Sequence, residues 1–183
     1  METFVEIPDG VKADVKDKHI VISGPGGTLE KDFDDPRFNH LLDIKTDWKK
    51  ITVAASGERR KLGSLAGAIA AHTRNMVIGV TKGYKYEMKI FFTHFPITVT
   101  ATKDEVQIKN FLGEKGARTA KVAKGAEVHV DKEHIEIRGA DVEAVGQTAA
   151  NIELACKIKG RDRRIFQDGI YLNGRFTKTG EKL

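Results

Sequence analysis

Hydrophobic and polar residues alternate in several short stretches of this chain, and in longer stretches the apolar residues recur every three or four positions. The alternation predicts a hairpin of half-buried strands at residues 11–23 and further strands at residues 41–46 and 51–55. Apolar residues between positions 62 and 80 then step by three or four, which predicts one amphipathic helix. Strands followed by a single helix indicate an antiparallel sheet covered on one face.

The second half of the chain repeats this plan, which indicates an internal duplication. A predicted hairpin at residues 97–109 aligns with the first hairpin without a gap, and each hairpin runs into a glycine-rich loop. A strand pair at residues 127–138 and a helix at residues 142–156 follow, and Asp141 is the predicted cap of that helix because its carboxylate can accept from free backbone amides. The predicted fold class is therefore α+β, with two tandem homologous domains, each an antiparallel β-sheet packed with one α-helix.

The expected domain junction lies where the first helical pattern stops, near Lys82 and Gly83. The expected domains are residues 1–82 and residues 83–172, the second with a basic segment, and residues 173–183 are expected to form a flexible tail. An alternating strand at residues 84–92 opens the second domain. As an exposed sheet edge it would suit pairing with a strand of another protein, so an interaction adaptor is one candidate function.

Composition is typical of a soluble globular protein. Apolar residues make up 40% of the chain and charged residues 31%, and no apolar run approaches the roughly 20 residues that a membrane span needs. The first six residues lack the basic and apolar segments of a signal peptide. Cys156 is the single cysteine, which excludes an internal disulfide and fits a reducing, cytoplasmic environment.

The charge balance indicates a polyanionic partner and favours the second domain as its contact surface. The formal net charge is +5 and the isoelectric point is about 9.2. Residues 1–82 carry 13 Lys and Arg against 12 Asp and Glu, whereas residues 83–183 carry 18 against 14. Most of the excess positive charge therefore lies in the second half.

A basic segment followed by aromatic residues is the strongest chemical signal in the second domain. Phosphates need closely spaced cations, and the forked side chain of arginine suits phosphate oxygens. The aromatic rings either stack on unpaired bases or pack into the domain. A solvated basic stretch without a ligand is the alternative. The candidate RNA contacts of this segment are Lys157, Lys159, Arg161, Arg163, Arg164, Phe166 and Tyr171.

Both glycine-rich loops match the nominal G-x-x-G pattern with which KH domains clamp a nucleic-acid backbone. The match is weak, because a KH loop joins two helices and these loops follow strands. At residues 24–27, turn formation explains the glycines better than phosphate binding does. Four cations that could contact phosphate lie in and around the second loop, namely Lys109, Lys115, Arg118 and Lys121.

Catalytic and metal-binding interpretations find little support in the sequence. Ser64 directly follows a glycine on the predicted helix, whereas a nucleophile elbow needs G-x-S-x-G at a strand-to-helix turn. The histidines and the cysteine lack the spacing of metal ligands, and the acidic residues at positions 32–35 are more typical of a solvated loop than of a Mg²⁺ site. A hydrolase built on Ser64 or on these aspartates is the weaker alternative, and we expect no enzyme, cofactor or metal.

Several motifs resemble the large-subunit ribosomal protein of the universal L-six family. Residues 75–84 (Asn-Met-Val-Ile-Gly-Val-Thr-Lys-Gly-Tyr) resemble the junction between its domains, and Gly139 with residues 145–152 resembles its second-domain helix. Residues 168–171 (Asp-Gly-Ile-Tyr) also fit. Where bacterial members end in a Pro-Glu-Pro-Tyr-Lys-Gly-Lys-Gly type of segment, this chain has Gly-Arg-Asp-Arg-Arg-Ile-Phe at residues 160–166, so it resembles the archaeal type.

The resemblance implies a structural rRNA-binding protein without catalysis. It implies binding to 23S rRNA near the sarcin-ricin loop and the stalk base, with neighbouring large-subunit ribosomal proteins as partners and translation factors nearby. Contacts of the second domain carry much of this binding in the family, and Gln147 matches a family position, which makes it a further candidate contact. The expected location is the ribosome in the cytoplasm, and neither a membrane nor a second copy of the chain is an expected partner.

Overall fold

Two α+β units, joined between Lys82 and Gly83, make up the protein. The computed structural model describes residues 2–34, 41–47, 49–56 and 60–182. Unit 1 spans Met1–Lys82 and unit 2 spans Gly83–Leu183. The predicted fold class is confirmed, with one correction: the described residues of each unit form two antiparallel sheets rather than one, together with a single α-helix.

Unit 1 contains six strands and one helix among its described residues. The first sheet, in the order β1-β6-β5, is formed by β1 (Glu2–Glu6), β6 (Lys50–Ala55) and β5 (Leu42–Asp47). The second sheet is formed in chain order by β2 (Lys12–Lys16), β3 (His19–Gly24) and β4 (Gly27–Asp32). Helix α1 (Arg60–Thr81) packs on strands of both sheets.

The core of unit 1 forms because the helix and the strands each bury one apolar face. Alternate residues of β3 and β6 are fully buried, and the three-and-four spacing along α1 places its apolar residues against them. The fully buried residues of this core are Ile20, Ile22, Ile51, Val53, Ala66 and Val80.

The glycine-rich loop of unit 1 closes the carboxyl end of α1. The Gly26 amide donates to the Val80 carbonyl oxygen at 2.7 Å, and a Cβ atom at Gly26 would lie 2.8 Å from that oxygen. Glycine allows this close approach of two backbones, and the hydrogen bond satisfies a carbonyl near the helix end. The turn interpretation of residues 24–27 is therefore supported.

Unit 2 repeats this plan with a longer first sheet. That sheet, in the order β11-β12-β7-β13, is formed by β11 (Ala126–Asp131), β12 (His134–Gly139), β7 (Tyr84–Phe91) and β13 (Gly169–Thr177). The second sheet, in the order β10-β9-β8, is formed by β10 (Arg118–Lys121), β9 (Glu105–Lys109) and β8 (Thr98–Ala101). Helix α2 (Val142–Ala155) packs on strands of both sheets.

The predicted cap of α2 is confirmed. The Asp141 carboxylate accepts from the backbone amides of Glu143 and Ala144 at 2.9 and 3.3 Å. The first amides of an α-helix lie beyond the reach of its own carbonyls, and the Asp141 side chain takes the place of those carbonyls here.

Strand β13 overturns two expectations. The sequence predicts a flexible tail from residue 173, but residues 173–177 belong to β13, and Phe176 forms a further bridge with Lys182. The sequence also places residues 84–92 at an exposed edge, but β7 is paired on both sides, by β12 and by β13. The alternating pattern of β13 is hidden because a bulge between Leu172 and Gly174 shifts its register.

Candidate RNA-binding surface

The guanidinium of Arg118 joins three parts of unit 2. From β10, its Nη1 donates to the carbonyl oxygens of Ala155 and Lys157, at 2.9 and 3.0 Å, at the end of α2. Its Nε and Nη2 donate to the Glu114 carboxylate at 2.8 and 2.6 Å. Its central carbon lies 4.3 Å from the centre of the Phe111 ring. Arg118 therefore ties the start of the basic segment to the second sheet and its loop.

These contacts give Arg118 a positioning role that the sequence did not indicate. The side-chain hydrogen bond from Arg118 holds the pKa of Glu114 below its ordinary value, and the same bond raises the pKa of Arg118. A positive charge at this place is favourable because the carboxyl end of a helix carries partial negative charge. Since all three nitrogens of the guanidinium donate within unit 2, the RNA contact predicted for Arg118 competes with these bonds.

Gln147 and Lys121 lie beside each other, linked by Asn151. Gln147 is exposed in the second turn of α2, and its Nε2 donates to the Asn151 Oδ1 at 2.8 Å. The Nδ2 of Asn151 in turn donates to the carbonyl oxygen of Lys121 at 2.8 Å. Asn151 was missed as a candidate, although its spacing of four residues from Gln147 on a helix was an available signal.

The basic segment exposes its cations around a buried anchor. Ile158 is buried, whereas the five basic residues at positions 157, 159, 161, 163 and 164 are exposed. Lys115 and Lys109 are also exposed, Lys115 in the loop before β10 and Lys109 at the end of β9, opposite Thr98. In the described part of the chain, no ion pair involves Lys109, Lys115, Lys121, Lys157, Lys159, Arg163 or Arg164.

Phe166 packs into the domain rather than standing free. Its ring stacks on His94, with the ring centres 4.9 Å apart and the planes inclined by 29°. The Arg161 guanidinium lies 4.9 Å from the centre of the same ring. Phe166 therefore contacts both side chains and connects the basic segment to the loop after β7.

Asp168 fixes that loop from inside the unit. Its carboxylate is fully buried and accepts from the Thr93 hydroxyl at 2.7 Å, from the Thr93 amide at 3.2 Å and from the His94 amide at 3.5 Å, and it lies 3.3 Å from His94 Nδ1. Burial raises the pKa of Asp168, but the hydrogen bonds from Thr93 and His94 outweigh it and leave that pKa below its ordinary value. An ionised carboxylate therefore connects the loop after β7 to the start of β13.

An open pocket of about 530 Å³ lies between this loop and the basic segment. Phe91, Phe92 and Tyr171 on its wall expose 47%, 42% and 37% of their surface. The Tyr171 hydroxyl donates to the Gln167 carbonyl oxygen at 3.2 Å, and its ring centre lies 6.0 Å from that of Phe91. Arg163 lines the same pocket. Of the rings, the sequence singled out only Tyr171, although the aromatic density at residues 91–95 was an available signal.

The described residues of the hydrolase alternative show no catalytic arrangement. Ser64 is exposed on α1, and its hydroxyl donates to the Arg60 carbonyl oxygen at 3.1 Å within the helix. The Asp32 carboxylate accepts from the Asp34 amide at 2.9 Å, and Asp35 lies outside the described residues. Burial raises the pKa of the Cys156 thiol to about 12, so the unreactive thiol form prevails at neutral pH.

Neither a cluster of metal ligands nor a helix that could span a membrane is present among the described residues. Within residues 2–34, 41–47, 49–56 and 60–182, no three His, Cys, Asp or Glu side chains converge in the manner of metal ligands. Neither helix in these ranges combines the length and the apolar character required to cross a membrane.

Comparison with known proteins identifies the family. The family model described as Ribosomal protein L6 matches residues 7–83 and again residues 95–169, once in each unit. The large ribosomal subunit protein uL6 of Sulfurisphaera tokodaii is 46% identical over 170 residues, which cover 92% of this chain and 89% of the relative. The uL6 proteins of Ignicoccus hospitalis and Saccharolobus solfataricus are 44% and 45% identical, over 96% and 92% of this chain and 95% and 91% of their own. The resemblance noted in the sequence is thus confirmed, and the chain belongs to the ribosomal protein L6 family.

Proposed function

We propose that this chain is a structural component of the large ribosomal subunit that has no catalysis of its own. It binds 23S rRNA near the sarcin-ricin loop and the stalk base, where translation factors dock, and it contacts neighbouring large-subunit ribosomal proteins in the cytoplasmic ribosome. The observation that carries the proposal is the match of both units to one ribosomal family, with relatives that are named as large-subunit proteins over nearly their full length.

The exposed cations of unit 2 support RNA as the ligand of this surface. Phosphate binding releases condensed counterions, so cations that are not already paired within the protein contribute most to affinity. An A-form helix hides its base edges in a deep and narrow groove, so recognition depends on phosphates and shape. The proposed contacts are Lys109, Lys115, Lys121, Gln147, Lys157, Lys159, Arg161, Arg163, Arg164 and Tyr171, while Arg118 and Phe166 hold the segment in place.

The competing functions lose the features on which they depended. The strand that would have served an interaction adaptor is an interior strand, so it offers no edge for pairing. The Ser64 hydroxyl is engaged with its own helix rather than with a general base.

The test is binding of the full chain to a large-subunit rRNA fragment that spans the sarcin-ricin region, titrated from low to moderate salt. We expect tighter binding than to a scrambled RNA of equal length, and a preference that survives physiological salt. Non-specific attraction would give a Kd of about 10⁻⁴ to 10⁻⁶ M at that salt, by analogy with DNA. Equal and salt-labile binding to both RNAs would contradict a specific site on the isolated chain.

A charge-matched pair of variants locates the surface. Arg163→Ala with Arg164→Ala is expected to weaken binding and to reduce the slope of log K against log salt by about 1 to 2. Lys12→Ala with Lys16→Ala removes the same charge from exposed positions of unit 1 and is expected to change the slope less. Thermal unfolding of both variants should match the unmodified chain, because all four side chains are exposed. If the arginine variant bound RNA with unaltered affinity at every salt concentration, this segment would not be part of the RNA-binding site.

A further inference from the structure

The pocket beside the basic segment has a lining that phosphate binding does not require. Soluble proteins rarely expose several large apolar side chains together unless the patch serves an interaction. Phe91, Phe92 and Tyr171 do so here, within one open pocket that also contains Arg163 and Gln167. A phosphate would use the cation and gain nothing from the rings. A nucleobase has a flat apolar face and a polar edge, and it would use both.

We propose that this pocket binds one unpaired nucleobase of the RNA. The base stacks on the exposed aromatic rings, chiefly Tyr171, with the Arg163 guanidinium and the Gln167 amide at its polar edge. This inference rests on the proposed function and adds to it a defined ligand class, a base that is bulged or otherwise free of a Watson–Crick partner. Base-paired nucleotides are excluded as ligands of the pocket, because stacking on a side chain needs an exposed face of the base.

The size of the pocket is compatible with such a ligand. Its volume of about 530 Å³ lies in the range of about 300 to 1,000 Å³ that is typical of small-ligand sites. The pocket is open to solvent, so a base can enter while its sugar and phosphate stay outside near the exposed cations of the basic segment.

The pocket walls are held in place without RNA. Asp168 ties the Thr93 hydroxyl and the His94 amide to the start of β13, and the stack of Phe166 on His94 joins the same loop to the basic segment. The hydrogen bond from Tyr171 to the Gln167 backbone orients the tyrosine. Binding to such a pre-organised site loses little conformational entropy.

The neighbouring pocket provides a contrast. Its volume is about 430 Å³, and it shares Arg163 and Tyr171, but Leu154, Ile158 and Ile170 give it an aliphatic wall. An aliphatic wall suits the apolar side chain of a protein rather than the face of a base. The aromatic lining therefore assigns the nucleobase to the first pocket.

The experiment compares two RNA hairpins. One carries a single bulged 2-aminopurine nucleotide, and the other has the same stem without the bulge and is fully paired. The full chain is expected to bind the bulged hairpin about tenfold more tightly, the value of roughly one stacked base, and to quench its fluorescence. Tyr171→Leu keeps an apolar side chain without a ring, so it is expected to abolish the preference and the quenching. Tyr171→Phe should retain both. Phe4→Ala is the control, because Phe4 is an exposed aromatic of unit 1 with Lys50 5.3 Å from its ring centre.

The outcomes separate this inference from the proposed function. Equal affinity for the two hairpins, with salt-dependent binding retained, would overturn the base pocket and leave the phosphate-binding surface standing. If Tyr171→Leu still bound the bulged hairpin more tightly than the paired one to the full extent, stacking on Tyr171 would also be overturned. An aliphatic side chain would then be enough to bind the bulged base. Absence of salt-dependent binding to either hairpin and to the rRNA fragment would contradict the proposed function itself, and the base pocket with it.

Discussion

Units 1 and 2 close the carboxyl ends of their helices at equivalent places with different chemistry. In unit 1, the loop after β3 brings the Gly26 amide to the Val80 carbonyl oxygen. In unit 2, the chain after β9 brings the Arg118 guanidinium to the carbonyl oxygens of Ala155 and Lys157. Both arrangements satisfy carbonyls that the helix leaves free. The second also adds a positive charge and fixes the start of the basic segment, so in unit 2 the same structural requirement positions part of the proposed RNA-binding surface.

The first sheets of the two units differ at one edge. In the described residues, β1 of unit 1 pairs with β6 alone, whereas β7 of unit 2 pairs with β12 and also with β13. Strand β13 follows the basic segment, and this whole stretch has no counterpart in unit 1. Asp168, the aromatic pocket and most of the predicted RNA contacts lie in that addition or against it. Most of the proposed RNA-binding surface therefore lies in the part of unit 2 that exceeds the duplicated plan, rather than in the core that the two units share.

Among the differences between the two units, removal of the Arg118 cap has the largest expected effect on stability. Arg118→Ala is expected to lower the free energy of unfolding of unit 2 by about 3 kcal/mol. It leaves the partly buried Ala155 carbonyl of α2 and the exposed Lys157 carbonyl after it without this donor, and it removes the contact with the Phe111 ring. The ion pair with Glu114 contributes the smaller part, since pairs at exposed sites are worth about 0–1 kcal/mol and Glu114 is 44% exposed. Urea unfolding and amide exchange of α2 measure the loss.

Two further variants show whether the loss of stability comes from the lost hydrogen bonds or from the lost charge. Arg118→Lys keeps the charge but not the forked donor geometry, so it is expected to recover only part of the stability. Lys115→Ala removes an exposed cation from the same loop and should leave unfolding unchanged. If Arg118→Ala weakened RNA binding without any loss of stability, Arg118 would be a direct RNA contact, as the sequence predicts.

The backbone cap of unit 1 is tested by adding one methyl group. Gly26→Ala places a Cβ atom 2.8 Å from the Val80 oxygen and is expected to cost about 2 kcal/mol, because two backbones must separate. Gly116→Ala is the matched change in the corresponding loop of unit 2, where a Cβ atom meets nothing within 4 Å. It is expected to be neutral or to stabilise by up to about 1 kcal/mol. Equal thermal shifts in the two variants would refute the difference between the loops.

Acid sensitivity is expected to be concentrated in unit 2. The folded-state pKa of Asp168 lies below its unfolded value of about 3.9, so its contribution is present above about pH 4 and is lost as the pH falls through the folded pKa. Asp168→Asn is expected to cost about 1.5 kcal/mol at pH 7 and to remove this part of the acid dependence. Exchange protection of the Thr93 amide, measured from pH 7 to pH 2, reports it. An unchanged pH profile in the variant would contradict the assignment.

The side-chain cap at the start of α2 has the smallest expected effect. Asp141→Ala removes an acceptor for the Glu143 and Ala144 amides and is expected to cost about 1 kcal/mol. Asp141→Asn keeps an acceptor oxygen and should retain most of the stability. A thermal denaturation series of the two variants measures the difference, and an equal loss in both would mean that the charge, rather than the hydrogen bond, stabilises the helix.

The strands and helices that the sequence predicts share a local cause. The alternation of β3 and the three-and-four spacing of α1 and α2 can be recognised from a short stretch of sequence, because each reflects which side of a single element is buried. Strands β1, β4, β10 and β13 escaped prediction. Strand β13 escaped because its partner β7 lies far away in the sequence and a bulge interrupts its pattern.

The sequence by itself determined the duplicated α+β plan, the junction motif and the concentration of cations in the second half, since periodicity, motif and charge are properties of the chain. Only the tertiary structure decided that Arg118 caps a helix, that Phe166 packs on His94 and that Phe91, Phe92 and Tyr171 stay exposed around a pocket. The physical reason is that a guanidinium can bind a phosphate or a carbonyl, and an aromatic ring can be buried or exposed. The segments that fold against each side chain select between these outcomes.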